Sequence, residues 1–251
     1  MKATLTYHSL DDSGSAISIP PAVFDQHLAW LTSGRARALE LDRIATDPDS
    51  AGDAVAVTFD DGFRNTREAI ERLLAHEIPT SVFVVTGRVG GDNDWNGMAQ
   101  RGIPTLPLMT WTDLEQLVAK GLTVEAHSRR HAALTGLSAA ELDDELGGCQ
   151  EELRARLGAQ SSHLAYPYGE SDETVEARAG KYFRYGHTTE FRCLSKDDDA
   201  LRLPRLDMYY FQNPGMLESW GTRMFARRVA WIALRRKARM VFSRSSLVLG
   251  R

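Results

Sequence analysis

The sequence has little cysteine and no long hydrophobic run. Its 251 residues include two cysteines, Cys149 and Cys193, too few for a disulfide framework and expected to be reduced thiols. No stretch of about 18 uninterrupted apolar residues is present, which argues against a transmembrane helix. The first residues lack the apolar segment of a secretory signal, so a cytoplasmic location is expected.

Repeats and low-complexity segments are also missing, and the composition is not that of collagen, a disordered chain or a coiled coil. A chain of this length buries enough core to fold without a disulfide or a structural metal. The net charge of −4 is unevenly distributed, with +8 on residues 213–251 and −12 on residues 1–212. Because an acidic body repels phosphates, no nucleic-acid partner is expected.

Strand-like segments alternate with helical patterns along most of the chain. Seven short segments are rich in Val, Leu, Phe and Thr, as strands buried on both faces are. They are residues 3–7, 55–59, 81–85, 122–126, 163–166, 183–188 and 201–206. The alternation predicts an α/β fold with a parallel sheet and covering helices, and about seven units favour a barrel over an open sheet.

Helix starts and one long loop are predicted between these strands. Pro20 and Pro21 favour a first helical turn. Capping boxes are predicted for three pairs of residues, which are Asn65 with Glu68, Thr112 with Glu115, and Ser138 with Glu141. Residues 87–110 contain five glycines and two prolines, which predicts a long loop over the carboxyl rim of the sheet. Trp95 in this loop suits either contact with a sugar or packing within the loop.

Polar residues follow several predicted strands at the point where each strand ends. They are His8, Asp60, Asp61, His127, the 166–169 segment YPYG, His187 and Arg205. Active sites of α/β barrels lie at the carboxyl ends of the strands. We therefore expect one site that combines residues from distant parts of the chain.

Three of these positions, together with His131 four residues after His127, suit a metal ion. Adjacent buried carboxylates at Asp60 and Asp61 repel each other unless a cation compensates, although a capped turn with Gly62 at positive φ is the favoured alternative in isolation. His127 and His131 lie on one face if the segment is a helical turn, and they are either ligands of one ion or an ordinary hydrogen-bonded pair. One aspartate with both histidines makes three ligands and an open position, the pattern of a hydrolytic site, and leaves the other aspartate as a base.

Three motifs resemble those of the polysaccharide deacetylases, the NodB-homology domain of carbohydrate esterase family 4. They are TFDDG at 58–62, HSRRH at 127–131 and YPYG at 166–169. The resemblance covers roughly residues 1–210 and implies a distorted (β/α)7 barrel that removes acetyl groups from sugars with a metal-activated water. It implies that Asp61, His127 and His131 bind a divalent metal, with zinc the preferred ion, and that Asp60 is the general base. The backbone N–H of Tyr168 would help to stabilise the oxyanion.

Two features depart from the usual family pattern. The arginine ahead of the third motif is replaced by Ala165 and Tyr166, and the late Leu-x-His motif that carries the general acid is absent. A circularly shifted branch of the family, which includes deacetylases of exported poly-N-acetylglucosamine, begins with a Tyr-His strand and ends with Leu-Pro-Arg. Residues 7–8 and 203–205 are similar to these two segments.

The shifted branch implies two further roles, for His8 as the general acid and for Arg205 in orienting Asp60. The alternative for His8 is a buried histidine bonded to the backbone, and for Arg205 a surface salt bridge. His187 is the second candidate for the acid and is expected at the rim of the site.

The predicted function is therefore a metal-dependent removal of an N-acetyl group from an amino sugar in a polysaccharide, an oligosaccharide or a glycolipid precursor. The alternatives are a hydrolase of another non-peptide C–N bond, such as a cyclic amide, and a non-catalytic glycan-binding protein. Residues 1–212 would form the catalytic barrel and 213–251 a basic amphipathic helical tail. The tail suits either packing on the barrel or peripheral contact with an anionic membrane at its cytoplasmic face.

Overall fold

The computed structural model describes residues 1–46, 52–95, 102–213 and 215–248, with side chains up to residue 238. The strands in these ranges are β1 (Lys2–Tyr7), β2 (Ser9–Leu10), β3 (Ser18–Ile19), β4 (Arg37–Ala38), β5 (Ala54–Phe59), β6 (Thr80–Val84), β7 (Thr123–Ala126), β8 (His163–Ala165), β9 (Tyr185–His187) and β10 (Leu206–Asp207). The α-helices are α1 (Pro21–Thr32), α2 (Leu41–Thr46), α3 (Arg67–Ala75), α4 (Trp111–Val118), α5 (Ala139–Leu157), α6 (Glu173–Ala179) and α7 (Arg223–Val248).

A curled parallel sheet forms the centre of the fold. Its strand order is β10-β1-β5-β6-β7-β8-β9, with the short β4 beside β5. Leu203 forms a parallel bridge with His187 of β9, and Leu206 of β10 pairs with Leu5 of β1. Residues 203–207, the closing segment, therefore join the two edges of the sheet. This arrangement confirms the predicted seven-stranded α/β barrel.

Most residues of the barrel strands are buried, as their continuous apolar runs predict, although Thr123 at the start of β7 is exposed. Every residue of β1 and of β5 is buried. One large hydrophobic cluster extends from the strands to α1, α3, α4 and α5, and includes Leu5, Val57, Leu73 and Leu146. Full burial of such a side chain contributes about 1.5–3 kcal/mol, so this cluster dominates the stability of the fold and fixes the strand ends that carry the site.

Two of the predicted helix starts are confirmed. Pro21 occupies the first turn of α1, where its missing N–H leaves no helical hydrogen bond unmade. Ser138 and Glu141 form the predicted capping box at the start of α5. Each side chain there binds the backbone N–H of the other residue, which satisfies two donors at the helix end.

The other two capping predictions are wrong. The capping box of α4 is formed by Thr110 and Asp113, two positions before the predicted pair, because Thr110 still has extended backbone (φ −81°, ψ 163°). Asn65 lies in a 3-10 turn and caps no helix. Its side-chain amide instead donates a hydrogen bond to Ser9 Oγ at 2.8 Å, which ties the end of β5 to the segment after His8.

The helical part of the basic tail packs one side against the barrel. Phe225, Val229 and Ile232 of α7 are buried and belong to the same hydrophobic cluster as the strands. Met224 and Trp231 are exposed, as is Leu234 at 67%. No helix in the described ranges is both long enough and apolar enough to span a membrane.

Candidate active site

A cavity of about 190 Å³ lies at the carboxyl ends of the barrel strands. All seven residues to which the sequence assigns a role line it: His8, Asp60, Asp61, His127, His131, Tyr168 and Arg205. We call this the site cavity. The predicted long loop covers part of it through Asn93, Trp95 and Ile103, and residues 96–101 of that loop lie outside the described ranges.

Asp61, His127 and His131 converge on one point of the site cavity. Asp61 Oδ1 lies 3.3 Å from His127 Nε2 and 3.4 Å from His131 Nε2. All three side chains are buried, and their ligand atoms lie within 4.8 Å of one another. Among the described residues, none donates a well-formed hydrogen bond to Asp61 Oδ1. One carboxylate and two imidazole lone pairs make a donor set that fits a divalent metal ion.

The backbone fixes which nitrogen of His127 faces the other two ligands. His127 Nδ1 donates a hydrogen bond to the carbonyl oxygen of Ala165 at 2.7 Å. Because a carbonyl oxygen only accepts, Nδ1 carries a proton, and in the neutral imidazole Nε2 therefore keeps its lone pair. Metal-binding histidines are commonly oriented by such a second hydrogen bond.

The electrostatics of the three residues favour a cation between them. Burial raises the pKa of Asp61, but its contacts with His127 and His131 outweigh this and hold the pKa far below its usual range. Burial lowers the pKa of His131 to about 3, so its imidazole is neutral. Burial also opposes protonation of His127, yet the neighbouring Asp61 and Asp60 give a net upward shift of its pKa.

Two of the three candidate ligands, Asp61 and His131, sit on strained backbone, and the predicted helical turn is wrong. Residues 127–131 form an irregular loop in which Ser128 (φ 62°) and His131 (φ 61°) adopt left-handed conformations. Asp61 (φ 67°) and Gly62 (φ 77°) do the same after β5. Such conformations cost about 1–3 kcal/mol for each residue other than glycine, so the surrounding structure must hold them.

Glu145 of α5 anchors the loop that carries the two histidines. Its Oε2 accepts hydrogen bonds from the backbone N–H groups of Arg129 (3.1 Å) and Arg130 (2.9 Å). Its Oε1 pairs with Arg130 Nε at 2.8 Å, and the residue is only 1% exposed. Sequence reasoning missed Glu145, although an acid between Leu142 and Leu146 on an apolar helix face signals a buried carboxylate with a partner.

Asp60 is held between an arginine and a histidine. Asp60 Oδ1 accepts a hydrogen bond from Arg205 Nη1 at 2.7 Å, and Oδ2 lies 3.7 Å from His8 Nε2. Arg205 is 4% exposed, so the contact is not the surface salt bridge considered as an alternative. Arg205 Nε also donates to the carbonyl oxygen of Thr188 at 3.2 Å. Burial raises the pKa of Asp60, and the positive charges led by Arg205 reverse this to a net lowering.

His8 differs from the buried, backbone-bonded alternative. Its side chain is 22% exposed and lines the site cavity. Its charged neighbour there is Asp60, across the 3.7 Å gap between Nε2 and Oδ2. The ring therefore faces both the carboxylate and any molecule that enters the cavity.

Aromatic rings pack on both sides of His131. The Trp95 ring stacks on the imidazole at 4.3 Å, and the Tyr168 ring meets it edge-on at 4.7 Å. Trp95 is buried and also packs with Phe63, Val85 and Leu108, whereas Tyr168 is 46% exposed. Gly169 follows with φ 70°, and a Cβ atom there would lie 2.3 Å from Thr189 Oγ1, so only glycine fits. Thr189 also lines the site cavity, and no sequence signal distinguished it.

The expectation that His187 lies at the rim is wrong. His187 is fully buried, and its Nε2 lies 2.8 Å from His163 Nδ1. Its ring also meets the Phe83 ring edge-on at 5.4 Å. The closing segment pairs with the backbone of His187 and directs the side chain into the barrel. His187 therefore does not line the site cavity.

Comparisons with known proteins agree with this architecture. The family model for polysaccharide deacetylases matches residues 47–184, more than half of the chain. YxkH of Bacillus subtilis (strain 168), named as a polysaccharide deacetylase, is 24% identical over 218 residues, covering 84% of this chain and 71% of YxkH. The poly-beta-1,6-N-acetyl-D-glucosamine N-deacetylase of Staphylococcus epidermidis is 24% identical over 203 residues, or 75% of this chain and 67% of that protein.

Solved structures show the same fold. IcaB from Ammonifex degensii superimposes with a TM-score of 0.68 at 21% identity, covering 92% of this chain and 97% of IcaB. The polysaccharide deacetylase BA0330 from Bacillus anthracis gives a TM-score of 0.69 at 22% identity and covers 82% of this chain. This chain spans only 64% of BA0330.

Proposed function

Because the chain belongs to the polysaccharide deacetylase family, we propose that it is a metal-dependent hydrolase that removes the N-acetyl group from an amino sugar. The observation that carries the proposal is the position of Asp60, held by Arg205 next to the cluster of Asp61, His127 and His131. A base beside a metal site is what hydrolysis of an amide requires. The substrate would be an N-acetylated polysaccharide, oligosaccharide or glycolipid precursor.

We propose zinc as the ion held by Asp61, His127 and His131. Two histidines and one carboxylate are ligands that zinc binds in hydrolases with an open fourth position. When bound there, the ion supplies a Lewis acid that activates water and polarises the acetyl carbonyl. Two observations on the described residues support this assignment: none of them donates a well-formed hydrogen bond to Asp61 Oδ1, and His127 donates from Nδ1, which leaves Nε2 facing Asp61.

The remaining residues would manage protons and charge. Asp60 is ionised because Arg205 stabilises its carboxylate, and it would accept the proton of the attacking water. His8, on the other side of Asp60 Oδ2, would protonate the departing nitrogen of the sugar. The backbone N–H of Tyr168, on the wall of the site cavity, would help to stabilise the oxyanion.

Acetate release tests the proposal. Zinc-loaded protein is incubated with N-acetylglucosamine oligomers of increasing length and, in parallel, with cyclic amides. We expect acetate from the oligomers and far less from the same reactions with the Asp60→Asn variant. Ring opening without acetate release would favour the other C–N hydrolase. Binding of the oligomers without turnover in the loaded protein would favour a glycan-binding role.

Peripheral contact of the tail with an anionic membrane at its cytoplasmic face remains a proposal. Its support is the outward side of α7, where Met224, Trp231 and Leu234 are exposed among arginines. Aromatic and aliphatic side chains beside basic ones suit the surface of a negatively charged bilayer. The packing of Phe225, Val229 and Ile232 on the barrel leaves that side accessible.

A further inference from the structure

A second cavity, of about 370 Å³, lies between α7 and the chain that follows β9. Its walls are largely apolar and include Phe191, Cys193, Ala226, Val229, Ala230 and Ala233. We call it the α7 groove. The alanines face it in place of larger side chains, and this leaves an open channel where a helix normally packs tightly.

The α7 groove adjoins the site cavity. Thr189 lines both cavities, and the chain on either side of it holds Arg205, through the carbonyl oxygens of Thr188 and Glu190. Arg205 in turn binds Asp60. A molecule that passes over Thr189 would therefore reach from the proposed general base into the α7 groove.

The end of the α7 groove nearest the site is basic. Arg236 Nη2 donates to the carbonyl oxygen of Thr189 at 3.3 Å, which places the guanidinium at the shared wall. The Phe191 and Tyr210 rings lie under it at 5.3 and 4.9 Å, and Asp207 lies 3.5 Å away. Lys237 is next to it on the helix and is exposed. The one acid in the wall, Glu190, pairs with Arg192 at 3.0 Å.

Three features thus follow one another outward: the proposed hydrolytic centre in the site cavity, then the basic residues Arg236 and Lys237, then the apolar part of the α7 groove. We propose that the α7 groove binds the hydrocarbon chain of a lipid-linked amino-sugar phosphate, with the phosphate at Arg236 and Lys237 and the sugar in the site cavity. This inference rests on the proposed deacetylase function and narrows its substrate to a glycolipid phosphate. Basic side chains complement the phosphate, and the apolar walls complement the chain.

The binding of a series of alkyl phosphates tests the α7 groove independently of catalysis. Ethyl, octyl and dodecyl phosphate are titrated against the full chain by calorimetry, below their micelle concentrations. Affinity should rise with chain length, by up to about fourfold for each methylene that enters the groove. Equal affinity for ethyl and dodecyl phosphate would overturn the proposal.

Two pairs of variants locate the binding. Ala230→Phe fills the groove at an exposed position, so dodecyl phosphate should bind about tenfold or more weakly, while Leu234→Phe on the outward side of α7 should change nothing. Lys237→Ala should weaken the binding of dodecyl phosphate but not the binding of dodecanol. Arg235→Ala is its control, because Arg235 lies over the outward Trp231 ring at 4.5 Å. Equal effects within either pair would contradict the assignment.

Turnover separates this inference from the proposed function. The dodecyl ester of N-acetylglucosamine 1-phosphate should have a KM about tenfold or more below that of the chain-free sugar phosphate. Ala230→Phe should abolish the difference and leave the chain-free substrate unaffected. Equal KM values would overturn the lipid inference while deacetylation stands. If neither compound and none of the N-acetylglucosamine oligomers released acetate, the proposed function would fail, and the binding of the alkyl phosphates would still test the α7 groove.

The other occupant of an apolar groove is a second copy of the chain. Sedimentation velocity on the wild type and the Ala230→Phe variant distinguishes the two. A monomer in both proteins is expected. The proposal would be overturned if the wild type were a dimer that Ala230→Phe dissociates and dodecyl phosphate leaves intact. The α7 groove would then be a surface for self-association.

Discussion

Adjacent aspartates acquire different chemistry here because their neighbours differ. Asp60 points to Arg205 and His8, while Asp61, on left-handed backbone, points to His127 and His131. A one-residue step after β5 therefore separates Asp60, which is paired with the permanent cation Arg205, from Asp61, which has no arginine or lysine partner in the described part of the chain. The first suits a proton acceptor and the second a metal ligand.

Substitution of each aspartate distinguishes the two roles. Asp60→Asn should retain the metal and lose most of the deacetylase activity, since it removes only the proton acceptor. Asp61→Asn should lower zinc affinity, because an amide oxygen is a weaker ligand than a carboxylate. Calorimetric titration measures the zinc affinity of each variant, and acetate release measures its activity. Equal loss of metal in the two variants would refute the assignment.

Substitution of His8 and of His187 tests which histidine is the general acid. His8→Ala should reduce turnover by about 10²–10⁴-fold, the usual contribution of a general acid. His187→Ala should leave turnover per folded molecule close to that of the wild type and lower the melting temperature, because it opens a cavity beside His163 and Phe83. A large loss of kcat in His187→Ala and a small one in His8→Ala would show that His187, and not His8, is the general acid.

Among the secondary-structure elements, strands with long apolar runs could be predicted from the sequence and very short strands could not. Six of the seven barrel strands are visible in the sequence because burial on both faces leaves a continuous apolar signal. The predicted strand at 201–206 is wrong in its bounds, since β10 shares only Leu206 with it. β2, β3, β4 and β10 contain two residues each, too few for any periodicity. The same limit applies to the site: the Asp and His motifs are local in sequence, whereas Glu145 and Thr189 act only through contacts made by the fold.

The loop that carries His127 and His131 gives a prediction for α5. Glu145→Gln keeps one oxygen that can accept the two backbone N–H groups, but it replaces Oε1, which pairs with Arg130 Nε, by an NH2 group that cannot accept. The loop should loosen, and zinc affinity should fall by about 10–100-fold, as for other residues that orient ligands. Glu151→Gln, at an exposed position of the same helix, is the matched control.

Zinc titration and thermal melting of the metal-free proteins check this expectation. The metal-free Glu145→Gln variant should also be less stable by about 1–3 kcal/mol, since a buried network loses a partner. Unchanged zinc affinity in a destabilised variant would mean that Glu145 supports α5 and not the loop.

The whole molecule should not depend on its metal for folding. One hydrophobic cluster connects the strands with α1, α3, α4, α5 and α7, so the core is complete without the ion. Treatment with a chelator should abolish acetate release and leave the far-UV circular dichroism unchanged. Zinc added back should restore activity. Unfolding on chelation would show that the metal is structural.

The closing segment also sets an order of events during folding. The residues proposed to hold the metal follow β5 and β7, which lie in the middle of the chain, whereas Asp60 and Arg205 are 145 positions apart. Contacts of such long range form late, because a large loop must be ordered before they are made. A chain emerging from the ribosome would thus be able to capture its ion before its general base is oriented. Nascent and incompletely folded molecules would then be metal-loaded and inactive.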